Sequence, residues 1–101
     1  MDVIPGSRWQ SVACTTQVVV VRPPSAPVEL RCGGHPMVPL AADHEERLLL
    51  PDLAGGTPTG KRFFHDATGL EVLCTHGGDG TLAVGDQPLA RRDAKPLPSS
   101  D

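Results

Sequence analysis

Three cysteines, Cys14, Cys32 and Cys74, and four histidines are the residues of this chain best equipped for chemistry. Thiolate and imidazole bind borderline and soft metals, and thiolates also exchange with disulfides. Cys32-Gly33-Gly34-His35 has the CxxH spacing found in some metal sites. His44-Glu45 and His65-Asp66 place an imidazole beside a carboxylate, as acid/base chemistry would need. Neither pair has a nucleophile or an oxyanion nest near it, so both read as solvated polar pairs beside turns. Gly77-Gly78-Asp79-Gly80 has the glycine density of a phosphate loop, but it stands between two apolar runs and does not lead into a helix. Asp-Gly in that setting reads as a hairpin turn. No catalytic constellation emerges, and the expectation is a protein without enzymatic activity.

Composition narrows the classes of partner. Nine Lys and Arg stand against twelve Asp and Glu, giving a net charge of -3 and no basic run longer than two residues. That balance argues against nucleic acid as a partner. Met1-Asp2-Val3-Ile4-Pro5 has neither the basic region nor the apolar stretch of a signal peptide, and the most apolar run, residues 18–21, is far too short to span a bilayer. The expectation is a cytoplasmic protein with no membrane association. An odd number of cysteines without an export signal argues against a disulfide framework, leaving buried thiols or metal ligands.

The elements that must position these residues are short. Eleven Gly and eleven Pro in 101 residues interrupt the chain too often for long helices. The apolar residues between them are mostly Val and Leu, so the expected fold is a small all-β body. Gln17-Val18-Val19-Val20-Val21 reads as a strand closed by Arg22-Pro23-Pro24, and Val28-Glu29-Leu30-Arg31 alternates as a half-buried strand does. The two are expected to form a hairpin. Residues 41–50 carry Asp43, Glu45 and Glu46 early and Leu48, Leu49 and Leu50 late before Pro51, the pattern of one short helix or of a linker. Gly69-Leu70-Glu71-Val72-Leu73-Cys74 and Thr81-Leu82-Ala83-Val84 read as a second hairpin. From Arg91 onward there is no hydrophobic period, and residues 91–101 read as a flexible tail.

The second half of this pattern repeats the first. With Gly6 placed on Gly60, Arg8 falls on Arg62, Trp9 on Phe63, Gln17 on Glu71, Val18 on Val72 and Val19 on Leu73. Shortening the second loop by two residues brings Leu30 onto Leu82, Gly33 onto Gly85, Pro36 onto Pro88 and Met37 onto Leu89. Average composition would give about one or two identities by chance over these positions, against the six found. The expected organisation is one body of two packed repeats, residues 5–40 and 59–90, joined by a linker over 41–58, with neither repeat able to bury its apolar face alone.

An aromatic residue, a pair of spaced ligand positions, a Val-rich strand, a loop, Leu, an adjacent ligand pair, Gly and Pro-Met together resemble desulforedoxin and the N-terminal domain of desulfoferrodoxin. That resemblance implies a small sheet and one iron in a four-cysteine cage per repeat. Carried over by position, Ser11 and Cys14 stand at the first ligand pair of repeat one, and Arg31 and Cys32 at the second. In repeat two the same positions hold His65 and Thr68, then Ala83 and Val84. Cys74 aligns with Val20 on the strand and reads as a small core residue. Half a cage in one copy and none in the other leave a scaffold expected to hold no cofactor. The function expected is a non-catalytic accessory or interaction module that offers Arg8, Trp9 and the segment containing Leu48 and Leu50 to a protein partner. The alternative is one iron or zinc ion held by Cys14, Cys32 and His35, with His65 as a further ligand or the site shared across a homodimer. Arg31 would repel such a cation unless its side chain leaves the site, and it could instead lower the pKa of a neighbouring thiol.

Overall fold

Short β-branched runs bounded by Gly and Pro have too little uninterrupted chain to propagate a helix, and they form strands instead. The computed structural model describes residues 1–92. Among them there is no α-helix, only one 3-10 turn at Pro51–Leu53. Five strands precede that turn: β1 (Arg8–Gln10), β2 (Gln17–Arg22), β3 (Leu30–Cys32), β4 (His35–Pro36) and β5 (Val38–Pro39). Five follow it: β6 (Arg62–His65), β7 (Leu70–His76), β8 (Leu82–Val84), β9 (Gln87–Pro88) and β10 (Ala90–Arg92).

The strands form two antiparallel sheets, a six-stranded one in the order β10-β6-β7-β2-β1-β5 and a four-stranded one in the order β4-β3-β8-β9. Each sheet is joined at its centre by strands from opposite halves of the chain. β2 pairs with β7, with Val19 opposite Leu73, and β3 pairs with β8, with Arg31 opposite Ala83. Bonds outside the ladders follow the same scheme. Gly33 N–H donates to the Thr81 carbonyl while Gly85 N–H donates to that of Glu29, and Met37 to Leu30 is matched by Leu89 to Leu82.

This topology corrects two expectations. Residues 17–22 and 28–31 do not form a hairpin, because β2 and β3 lie in different sheets. The same holds for β7 and β8, so Gly77-Gly78-Asp79-Gly80 is a crossover between sheets and not a hairpin turn. Short-range turn chemistry was outweighed by the apolar area that long-range pairing buries. Residues 41–50 form no helix. They run as an extended segment fixed by Arg47 N–H donating to the Val12 carbonyl and Leu50 N–H donating to that of Gly33.

The expected tail begins two residues too early. Arg91 and Arg92 belong to β10, where Arg91 lies opposite Phe63 and Arg92 opposite Arg62. Arg92 also stacks its guanidinium 4.8 Å from the Phe64 ring centroid and pairs with Glu71 at 3.1 Å. Arg62 reaches the same carboxylate at 3.3 Å, which accounts for a buried acid on the outer side of β7. The remainder of the expected tail, residues 93–101, lies outside the described residues.

One core joins both sheets. Val18 and Val20 alternate inward from β2, Leu70, Val72 and Cys74 from β7, Leu30 and Cys32 from β3, and Leu82 from β8, with Trp9, Phe63, Met37 and Leu89 closing its ends. No helix among the described residues is long and apolar enough to cross a membrane.

Candidate functional site

The chain between β1 and β2 turns sharply after Gln10. Ser11 Oγ accepts the backbone N–H groups of Ala13 and Cys14 at 3.0 and 3.1 Å, which folds the segment back on itself. This turn carries Cys14 towards the end of β3, where Cys32 points into the core, and the two sulfurs lie 3.8 Å apart. Both cysteines are free thiols. Cys32 is fully buried, whereas Cys14 is half-buried and lines an opening of about 240 Å³ bordered by Gln10, Thr15, Gln17, His44 and His76.

Three hydrogen-bonding groups surround the Cys14 sulfur. Ser11 Oγ lies at 3.4 Å, Thr16 Oγ1 at 3.2 Å, and the Gly80 backbone N–H donates to it at 3.3 Å. Burial alone would raise this thiol, but Ser11, the hydroxyl and backbone of Thr16, and Gly80 outweigh it and bring its pKa down to about 7. Cys32 moves the other way. Burial first, and then the neighbouring Cys14 charge, push it up to about 12. Arg31 takes no part in either shift. Its side chain leaves the thiols, pairing with Glu29 and donating to the Gly34 carbonyl at 3.3 Å.

The segment 77–80 crosses over these sulfurs from the other half. Gly77, Gly78 and Gly80 do not have positive φ, so conformational freedom does not explain three glycines in four residues. Space does. A Cβ on Gly80 would sit 2.8 Å from Cys32 Sγ and 3.1 Å from Cys14 Sγ, and one on Gly78 would sit 2.6 Å from Thr16 N. Only bare backbone can approach the thiol pair this closely, and that approach supplies the Gly80 donor. The linker closes another side, with Leu49 and Leu50 packed over Gly33 and Gly34.

The histidines expected as ligands are not brought to this pair. The His35 ring points at the linker and donates from Nε2 to the Leu48 carbonyl at 2.7 Å. His65 is buried in the second half, its ring nitrogens each 2.7 Å from Thr68 Oγ1 and Gln87 Oε1. There it forms a closed polar network with Thr68 and Gln87. Among the described residues no three His, Cys, Asp or Glu side chains gather as a metal site would require. Cys74 lies in the core, its sulfur 3.7 Å from the Thr57 carbonyl and its pKa raised by burial.

The expected partner surface also divides. Trp9 is buried, its indole N–H donating to Ser7 Oγ at 3.0 Å, and offers no docking face. Arg8 is exposed, and Leu48 and Leu50 remain 87% and 42% exposed. Thr16 and His76 carry no sequence signal for this site, and His44, Gly78 and Gly80, which read locally as a solvated pair and a hairpin turn, belong to it as well. The one available signal was a glycine run denser than a hairpin turn needs. Comparison with protein-family models, curated proteins and solved structures finds no match.

Proposed function

We propose that this chain is a duplicated, desulforedoxin-like scaffold that has shed its iron sites and serves as a non-catalytic accessory or protein-interaction module. The observation that carries this reading is Leu48. It is 87% exposed on an extended segment whose backbone is held on both sides, by Arg47 to Val12 and by Leu50 to Gly33. A large apolar side chain on a fixed, extended backbone presents a docking feature whose ordering cost is already met. The partner is a protein, a second copy of this chain included.

A photo-crosslinking residue at position 48 tests the proposal in the source cells. It should yield a discrete protein adduct, identified by mass, that disappears with Leu50→Asp. Adducts no stronger than those from the same probe at exposed Asp43 would overturn the reading.

The alternative is a single iron or zinc held by Cys14 and Cys32, and the 3.8 Å sulfur separation favours it. The donor set does not fit the family's iron, however. Two thiols and the Ser11 hydroxyl replace four thiolates, and a tetrahedral iron draws its stability from several deprotonated sulfurs. Elemental analysis of untagged protein should return no stoichiometric iron or zinc. Stoichiometric metal that is lost in Cys32→Ser would establish the alternative.

A further inference from the structure

The thiol pair has a layout that neither packing nor a docking role requires. Two sulfurs in contact differ sharply in access. Cys14 faces the opening lined by Gln10, Thr15, Gln17, His44 and His76, and Cys32 lies directly behind it with no exposed surface. An attacking thiol must be reachable by a second molecule, and a resolving thiol must be reachable only by the first sulfur. Here the two requirements fall on the two partners in that order.

We propose that Cys14 and Cys32 form a thiol–disulfide exchange pair that reacts with small polar disulfides through this opening. In the first step the Cys14 thiolate attacks one sulfur of the incoming disulfide. The new bond joins Cys14 Sγ to that sulfur, the incoming S–S bond breaks, and the departing thiolate carries the electron pair. In the second step Cys32 loses its proton to water and its sulfur bonds to Cys14 Sγ, the bond between Cys14 and the substrate half breaks, and that half departs with the electron pair. Both released thiolates take up a proton from water and leave as thiols. The net reaction oxidises the two protein thiols to one internal disulfide and reduces the substrate to two thiols, a two-electron exchange.

The surroundings of Cys14 suit the first step. Ser11 Oγ, Thr16 Oγ1 and the Gly80 N–H stand around its sulfur and can hold the negative charge before attack. The second step needs little movement. Closing from 3.8 Å to a bonded sulfur pair is an approach of about 1.8 Å, and Gly80 leaves the path free because it carries no side chain. Cys74 is sequestered in the core against Thr57 and does not compete. The opening is bordered by amides, hydroxyls and imidazoles, which selects polar disulfides over lipophilic ones. His76 Nδ1 lies 3.1 Å from the carbonyls of both Thr15 and Gly77 and thereby fixes one wall.

The test treats the reduced full-length protein with glutathione disulfide and follows intact mass, free-thiol count and peptide mapping. The wild-type protein should lose two thiols, retain only Cys74 as a free thiol, and carry a Cys14–Cys32 bridge without a lasting glutathione adduct. Cys32→Ser should instead stop at a one-to-one mixed disulfide on Cys14, and Cys14→Ser should lose the reaction. Unchanged wild-type thiols, a persistent wild-type adduct, or trapping on Cys32 or Cys74 would each overturn the proposal. The wild-type result decides even where a variant fails to fold.

Discussion

The two halves share their strand order and central registers, yet the sites at their ends differ in kind. The first half keeps two thiols in contact, roofed by bare glycine backbone from the second half and flanked by the linker. At the corresponding positions the second half has His65, Thr68, Ala83 and Val84, and it closes the space with a His65–Thr68–Gln87 network that needs nothing from outside. One architecture thus carries two different end sites, a thiol pair in one half and a closed polar network in the other. Matched positions can hold a satisfied polar network or thiols because the fold rests on the shared core beneath.

That dependence on a common core has the largest testable consequence. Each sheet is bridged at its centre by a pair drawn from both halves, β2 with β7 and β3 with β8. Expressing residues 1–55 and 56–101 as separate chains should leave each without cooperative thermal unfolding or dispersed amide resonances, and a native-like spectrum from either half alone would break the packed-pair description.

A smaller effect compares matched turns. Gly33 and Gly85 both have positive φ, at 66° and 58°, so alanine at either should cost about 1–2 kcal/mol in left-handed backbone strain. The neighbourhoods differ. A Cβ on Gly33 would meet Leu49 Cδ1 at 2.5 Å, whereas one on Gly85 meets nothing within 4 Å. Urea unfolding should therefore show Gly33→Ala as the more destabilising of the two, and equal losses would mean that the linker does not press on the first site.

The mildest test leaves the fold intact and reads only the thiols. Cys14 ionises near pH 7, below the ordinary thiol value of 9.0, so its alkylation by iodoacetamide should rise through pH 7 and level off by about pH 8. Cys32, raised to about 12, should stay unmodified over that range. The sign follows for stability as well. A depressed folded-state pKa favours the folded chain at pH values above the unfolded thiol's own, and this contribution fades as pH falls through 7. Half-maximal alkylation near pH 9 would show that Ser11, Thr16 and Gly80 do not hold the Cys14 thiolate.

Much of the fold could be read locally. Val18 and Val20, Leu30, and Val72 sit inward where their period places them, and Pro and Gly end the strands. The missed features were all long-range. Gly80 and Asp79 satisfy every local requirement of a hairpin, but the strands on either side pair with partners from the other half. Arg92 carries no local strand signal and is drawn into β10 by Glu71 and Phe64. Trp9 resembles an exposed recognition residue in isolation and is a core residue in place.

By itself the sequence determined the all-β class and the inward faces of the strands, since these depend on side-chain type and a period of two along the chain. Tertiary structure decided that the sulfurs of Cys14 and Cys32 lie 3.8 Å apart and that His65 is enclosed by Thr68 and Gln87. It also decided that a glycine run from the opposite half supplies the roof and one donor of the thiol site. Such contacts depend on where the backbone returns after a sheet crossover, and no local spacing encodes that distance.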